Sequence, residues 1–285
     1  MADTQVFSQQ LVAALPTIFA KKSYFASAFG ALQVADGVRD NATAFTVKTN
    51  DMPVVIGTYN TGANVAFGTG TANSSRFGQR REVKYADTDV PYGEPWAFDE
   101  GLDRYTVNAD LAAAVSARLV AQAQALVVRM NNQLGAALVD AGKDVGKDTS
   151  NPVALFNEAS KQYTQLEVVP ERKAYVTSDL YNAIVDNSLT TTGKGSAVNI
   201  DKNGLAYFKG FQLVVVPDAY MQGKQVIFTP DTIGRTFVGI STTRTIEVEG
   251  FDGVALQGAG KDGVYIPESN KPAILFASAP APAAG

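Results

Sequence analysis

Hydrophobic residues recur at steps of three and four along one long stretch, Asn108 to Gly142, which predicts a single helix. Leu111, Val115, Leu119, Ala123, Leu126, Met130, Leu134 and Leu138 fall in line on one face. Asn108 can accept a backbone N–H of the first turn, and Asp110 lies near the positive end of the helix dipole. Gly142 offers a left-handed residue to close the last turn. About 33 residues at ~1.5 Å each make a rod of roughly 50 Å. A compact chain of 285 residues has a radius of gyration near ~19 Å, so this helix is a spine that crosses the molecule. Only Asp110, Arg118, Arg129 and Asp140 are charged along it. Two readings are therefore compatible: a long helix lying on a sheet, and the same helix carrying a neighbouring subunit on a second face.

Before the spine the period drops to two. Strand-like alternation runs through Ala44–Thr49, Pro53–Tyr59 and Arg80–Tyr85, and the stretch between them, Asn60–Gly78, is rich in Gly, Asn, Thr and Ser. This predicts a long hairpin with a soft tip, whose arms of ~15 residues would reach about 50 Å. A two-stranded ribbon is marginal by itself, so something else must support it. The first 35 residues hold a short amphipathic pattern (Val6, Phe7, Leu11, Val12, Leu15), then Pro16, then Phe19, Tyr24, Phe25 and Phe29. They read equally as a helix packed on its own body or as an arm reaching a neighbour.

After the spine, Lys143–Ser150 is a polar linker, and Asn151 with Pro152 opens a helix ending near Leu166. A strand at Lys173–Thr177, a helix at Ser178–Asn187 capped by Thr177 or Ser178, and a Gly/Ser/Thr loop from Ser188 to Ser196 follow. Strands are expected at Phe211–Val216 and Gln225–Thr229, and several more between Thr236 and Phe276, including Arg244–Val248 and Ala273–Phe276. Ser278–Gly285 reads as an extended tail. The fold class is α+β.

Composition narrows the chemistry. The chain has neither cysteine nor histidine, which removes disulfides, ordinary zinc sites, imidazole-based triads and the commonest general base. A net charge of −4, from 24 basic and 28 acidic residues, argues against an electrostatic grip on nucleic acid as the main task. No apolar run approaches the ~20 residues of a membrane helix, and the N-terminus does not read as a signal peptide, so a cytoplasmic protein is expected. Charge along the hairpin is segregated: Arg76, Arg80, Arg81 and Lys84 are opposed only by Glu82, and Asp87, Asp89, Glu94, Asp99, Glu100 and Asp103 follow. This is a solvated face, or else a basic part of one copy meeting an acidic part of another.

Several motif-like stretches are set aside. Gly193-Lys194-Gly195-Ser196 lacks the first glycine of a phosphate loop, having Ser188 there, and Gly195 occupies the magnesium-binding position. Asn199, Asp201, Asn203 and Gly204 imitate a calcium loop, but the twelfth position is Gly210, so a tight turn is expected. Asn41-Ala-Thr43 and Asn73-Ser-Ser75 are chance glycosylation triplets, and Asp99, Glu100 and Asp103 form a charged loop and not a carboxylate site. No catalytic residue, metal or cofactor is expected.

The order of parts, with VPYGEPWAFDEGLDRYTVNADL leading into the spine, resembles the major capsid proteins of tailed bacteriophages, the Hong Kong 97 type. Glu82 to Tyr92, Gly210-Phe211-Gln212-Leu213-Val214-Val215 with Pro217, and the strands around Val264-Tyr265-Ile266 match that family's usual pattern. The resemblance covers nearly the whole chain. It implies an N-terminal arm (1–36), an extended loop (37–105), a peripheral domain (106–150 and 240–278), an axial domain (151–239) and a disordered tail (279–285). It also implies a structural protein that self-assembles into homo-pentamers and homo-hexamers of an icosahedral shell around double-stranded DNA. Arg76, Arg80, Arg81, Lys84, Asp87, Asp89, Glu94, Asp99, Glu100 and Asp103 would make assembly contacts. Partners would be other copies, a separate scaffolding protein, a portal protein at one vertex and DNA held without sequence specificity; there would be no membrane. The scaffold is expected to be separate because the arm begins at once. The place would be the virion capsid, assembled in the host cytoplasm. An encapsulin-like nanocompartment shares the fold and stays open as an alternative; a soluble enzyme is the other class.

Overall fold

The computed structural model describes residues 23–30, 32–34, 43–50, 52–63, 65, 75–78, 80–106, 111–187, 198–201, 204–247, 249–250 and 252–280. Outside them fall Val6 to Phe19, Asn108, Asp110, the Gly193–Ser196 loop, most of both glycosylation triplets and the end of the tail. Elements in order begin with α1 (Ala26–Phe29), β1 (Gln33–Val34), β2 (Thr43–Thr49), β3 (Ala86–Pro91) and β4 (Trp96–Asp103). The spine helix α2 (Leu111–Ala141), β5 (Lys143–Asp144), α3 (Pro152–Gln165), β6 (Arg172–Val176) and α4 (Ser178–Val185) follow. Then come β7 (Val198–Asp201), β8 (Gly204–Phe208), β9 (Phe211–Val215), β10 (Val226–Pro230), β11 (Arg235–Glu247), β12 (Gly253–Tyr265) and β13 (Leu275–Ala277). Residues 40–91 form one compact unit and the remainder another.

The larger unit is built on a seven-stranded sheet of order β5-β13-β10-β6-β9-β8-β7. Its central strands are buried on both faces, and the period of two sorts their side chains. Ala174, Val176, Val226 and Phe228 enter one core beneath α3 and α4, with Leu155, Phe156, Tyr163, Leu180 and Ile184. Phe156 stands edge-on to Phe208, Phe211 and Phe228 at 5.0, 5.5 and 5.0 Å. Tyr175 and Ile227 point the other way, into a second core with Met130, Leu134 and Leu138 of α2 and Phe25, Ala28 and Phe29. The aromatic stretch after Pro16 is thus packed on its own body over the described residues. Ser27 Oγ lies 2.9 Å from the Tyr175 hydroxyl, and the amide of Tyr24 donates to Asn131 Oδ1 at 3.2 Å.

Local signals explain the helix starts. Asn151 Oδ1 accepts from the Ala154 amide at 3.1 Å with Pro152 in the first turn, and Thr177 Oγ1 accepts from the Leu180 amide at 3.4 Å. The spine has 31 described residues. Its buried line runs Ala123, Val127, Met130, Leu134, Leu138, and Leu126 is only half-buried. That corrects the expected face: a step of four from Ala123, not three, keeps the line buried. Leu111, Val115 and Leu119 are likewise half-buried. The spine's end differs as well. Gly142 does not take the left-handed conformation; a Cβ there would stand 2.8 Å from the Leu138 carbonyl oxygen and 3.1 Å from Ile274 and Phe276 side-chain atoms. It is a glycine for want of room, and the chain continues straight into β5.

A four-stranded sheet, order β1-β11-β12-β4, lies against the spine. β4, grouped by sequence with the extended loop, pairs antiparallel with β12 from Trp96↔Gly260 to Asp103↔Gly253. The returning strands divide: β11 and β12 stay in this sheet, and β13 crosses to the seven-stranded one, between β10 and β5. β7 and β8 pair antiparallel as far as Asp201↔Gly204, and residues 202–203 of the tight turn expected there lie outside the described residues.

In the smaller unit β2 pairs with β3, from Thr43↔Pro91 to Thr49↔Ala86. The strands expected at Pro53–Tyr59 and Arg80–Tyr85 join no ladder. Their alternation satisfies strand preference, but every one of these residues is exposed and none finds a partner strand among the described residues.

Candidate assembly surface

The smaller unit cannot cover its own apolar residues. Val54, Ile56 and Phe77 are 90, 93 and 84% exposed, and Val55, Tyr59, Val83 and Tyr85 are also exposed. Full burial of one such side chain is worth about 1.5–3 kcal/mol, so covering several would be a substantial driving force for association. At the tip a small clasp joins the arms. The Asn60 amide donates to the Arg76 carbonyl at 2.9 Å, Arg76 Nη1 donates to the carbonyls of Asn60 and Gly62 at 3.0 and 3.4 Å, and Tyr59 meets Phe77 edge-on at 5.1 Å. Arg76 is therefore engaged within the loop.

The other charged candidates divide by place. Arg80 and Arg81 are exposed and meet no carboxylate among the described residues, while Lys84 stands 3.6 Å from Glu82 in an exposed pair. Asp87 pairs with Lys48 at 3.5 Å across β2 and β3, and Asp89 accepts from Thr46 Oγ1 at 2.6 Å. Asp99 accepts from Gln257 Nε2 at 2.9 Å, and Asp103 Oδ1 from the Tyr105 amide at 3.0 Å. Glu94 is exposed, and its carbonyl accepts from Arg129 Nη2 at 3.0 Å.

Glu100 is used inside the chain. Arg118 of the spine forks onto it, with Nε 2.6 Å from Oε2 and Nη2 on Oε1, and Gln122 Nε2 adds a bond of 2.7 Å. The Arg118 hydrogen bond holds the Glu100 carboxyl below the usual carboxylate value, and Glu100 raises the Arg118 guanidinium in return. About three turns along, Arg129 Nη1 bonds the largely buried Asp262 carboxylate of β12. These two arginines, half the charged residues seen along the spine by sequence, tie the helix to the four-stranded sheet. Along the spine these polar ties stand beside the buried apolar line.

Sequence reasoning ranked the loop by charge and passed over its apolar residues, although MPVVIGTY at 52–59 is the visible signal. Among the described residues no group of His, Cys, Asp and Glu could hold a metal ion, and no helix is long and apolar enough to cross a membrane. What the arrangement offers is exposed apolar surface.

No protein-family model matches the sequence, and no curated protein matches it. Solved structures do match the fold. The capsid of cyanophage P-SCSP1u superposes with a TM-score of 0.60 at 10% identity, over 87% of this chain and 86% of that one. The mature capsid of bacteriophage PhiM1 gives 0.60 at 10% identity, over 90 and 87%. The virus-like particle from Pyrococcus furiosus gives 0.52 at 14% identity, over 95 and 99%. At such identities it is the architecture that is shared: a mixed α+β body with a long spine helix and an extended loop unit, so the chain has the Hong Kong 97-like fold of tailed-phage capsid proteins.

Proposed function

We propose that this chain is the major capsid protein of a tailed bacteriophage, assembling into homo-pentamers and homo-hexamers of an icosahedral shell that encloses double-stranded DNA. The observation that carries this reading is the loop unit. It exposes Val54, Ile56 and Phe77 beside the basic Arg80, Arg81 and Lys84, a surface that a neighbouring copy of the same fold would cover. The loop of one subunit would lie over the spine region of the next, and the axial parts, 151–239, would meet at the centre of each capsomer. The role is structural and not enzymatic, with binding energy spread over contacts repeated at every subunit. A separate scaffolding protein would guide assembly in the host cytoplasm, and a portal would occupy one vertex of the finished virion. A net charge of −4 suits a wall that meets packaged DNA without gripping it.

The virus-like particle from Pyrococcus furiosus shares the fold along almost its full length, which favours one second reading, a nanocompartment shell with protein cargo. Electron microscopy of particles carrying this chain, with extraction of nuclease-protected nucleic acid, tests the choice. Closed shells holding DNA are expected; shells holding an enzyme would select the second reading, and discrete small oligomers would reject both.

A further inference from the structure

Among the described residues, two stretches of unpaired backbone suit each other. β4 is the outer strand of the four-stranded sheet, eight residues long, whereas the opposite edge strand, β1, has two. Its sequence, WAFDEGLD, holds no proline or lysine to blunt it, and a bare edge of that length is a template for another strand. Arg80–Tyr85 is the second: six exposed residues without turn or bend that lead directly into β3 yet pair with nothing among the described residues.

We propose that Arg80–Tyr85 of one copy adds as a fifth strand to the free edge of β4 in a neighbouring copy. This rests on the capsid reading above and names one of its contacts. Register selects the pairing. Glu100 bonds the spine, so Trp96, Phe98, Glu100 and Leu102 form the row facing the helix, and Ala97, Asp99, Gly101 and Asp103 form the other row. In the added segment Arg80, Glu82 and Lys84 share one side, and Arg81, Val83 and Tyr85 the other. With Glu82 opposite Gly101, Arg80 and Lys84 stand opposite the two aspartates, whichever way the strand runs. The segment's one acid then meets no carboxylate. A slip of one residue would turn Arg80 and Lys84 to the spine side and lose both pairings. Asp99 and Asp103 each accept one hydrogen bond in the chain, which leaves lone pairs for a cation. The Glu82–Lys84 pair does not compete, since both side chains are nearly 80% exposed. Asp99 and Asp103 of β4 also repel a second β4, which favours a basic strand over edge-to-edge pairing of like strands.

The chain has no cysteine, so introduced thiols are unambiguous. Two variants, Glu82→Cys and Gly101→Cys, are co-expressed and the assemblies oxidised. A band at twice the 30.1 kDa chain mass is expected on a non-reducing denaturing gel, because directly opposed strand residues lie within disulfide reach. Assemblies without that band overturn the proposal. So does a dimer formed instead by Ile56→Cys with Gly101→Cys, which would give the edge to the loop's other arm, or a double variant that links only within one chain. Charge exchange tests it without Gly101. Arg80→Asp with Lys84→Asp, or Asp99→Lys with Asp103→Lys, should each lower particle yield about tenfold at low salt, and all four together should restore it. Failure of the four-fold variant to recover overturns the pairing. If the unaltered chain forms no assembly, the capsid reading fails and this contact with it; intact shells with neither cross-link nor rescue remove this contact alone.

Discussion

Replacing Gly135 by alanine sets two effects against each other, and the structure decides between them. On an exposed helix surface the change is favourable by about 1 kcal/mol, because alanine costs less backbone entropy. Gly135, however, lies where the spine crosses the short helix Asp218–Tyr220. A Cβ would fall 1.9 Å from the Tyr220 carbonyl oxygen and 3.1 Å from its carbon, with Phe25 Cε2 at 3.6 Å. The obstacle is backbone and cannot rotate aside. The spine must move by more than an ångström, and Met130, Leu134, Leu138, Phe25 and Met221 pack in that same core. Overpacking costs ~1–3 kcal/mol, and a rigid obstacle puts the cost at the upper end. After the propensity gain, a net loss of about 2 kcal/mol is expected. For a domain of this size that lowers the melting midpoint by roughly 4–8 °C. The assay is thermal unfolding of dissociated subunits followed by circular dichroism. Ala125→Gly, on the exposed face of the same helix, serves as the reference and should cost about 1 kcal/mol through propensity alone. A Gly135→Ala midpoint equal to or above that of the parent would refute the close crossing.

Val127→Asp should leave the chain insoluble, because an unpaired carboxylate in that buried site costs several kcal/mol, whereas Leu126→Asp, half-buried, should stay soluble; the soluble fraction after expression distinguishes them. Glu100 has its folded-state pKa lowered below the ordinary 4.5, so its bond to Arg118 contributes fully above that value and is lost as pH falls through the lowered one. The urea midpoint of the parent should therefore fall more steeply below about pH 4.5 than that of Glu100→Gln, and equal slopes would remove the pairing from the stability account. Deleting 61–77 and joining the arms with a short turn should keep the helical circular dichroism and abolish closed shells; normal shells would make that segment an idle surface loop.

Much of the larger unit was legible because its signals are local. Asn151-Pro152 and Thr177 mark helix starts through groups within three residues, and the alternation of Lys173–Thr177 already separates the two faces that the sheet buries. Where the reading failed, the deciding atoms lie far along the chain. Steps of three and four from Ala123 are equally helical, and only the packing of the folded chain selects Val127 over Leu126. A glycine after a helix serves a left-handed turn or a tight fit, and Ile274 and Phe276, more than 130 residues on, select the second for Gly142. β4 reads as the end of a loop until β12, some 150 residues later, supplies its partner.

The loop unit was misread for a different reason. Pro53–Tyr59 and Arg80–Tyr85 carry strand sequence, yet among the described residues their backbone, free of turns and bends, finds no partner strand. Local preference and fold usually agree along a natural chain, and disagreement collects at functional sites. Val54 and Ile56 sharpen the point: a chain selected only to fold alone gains nothing by keeping two aliphatic side chains more than 85% exposed on such a segment. The mismatch disappears once the relevant folding unit is larger than one chain. On the reading proposed above, a strand partner and an apolar cover supplied by a neighbouring copy would satisfy the hydrogen bonds and the burial together, through the same two arms.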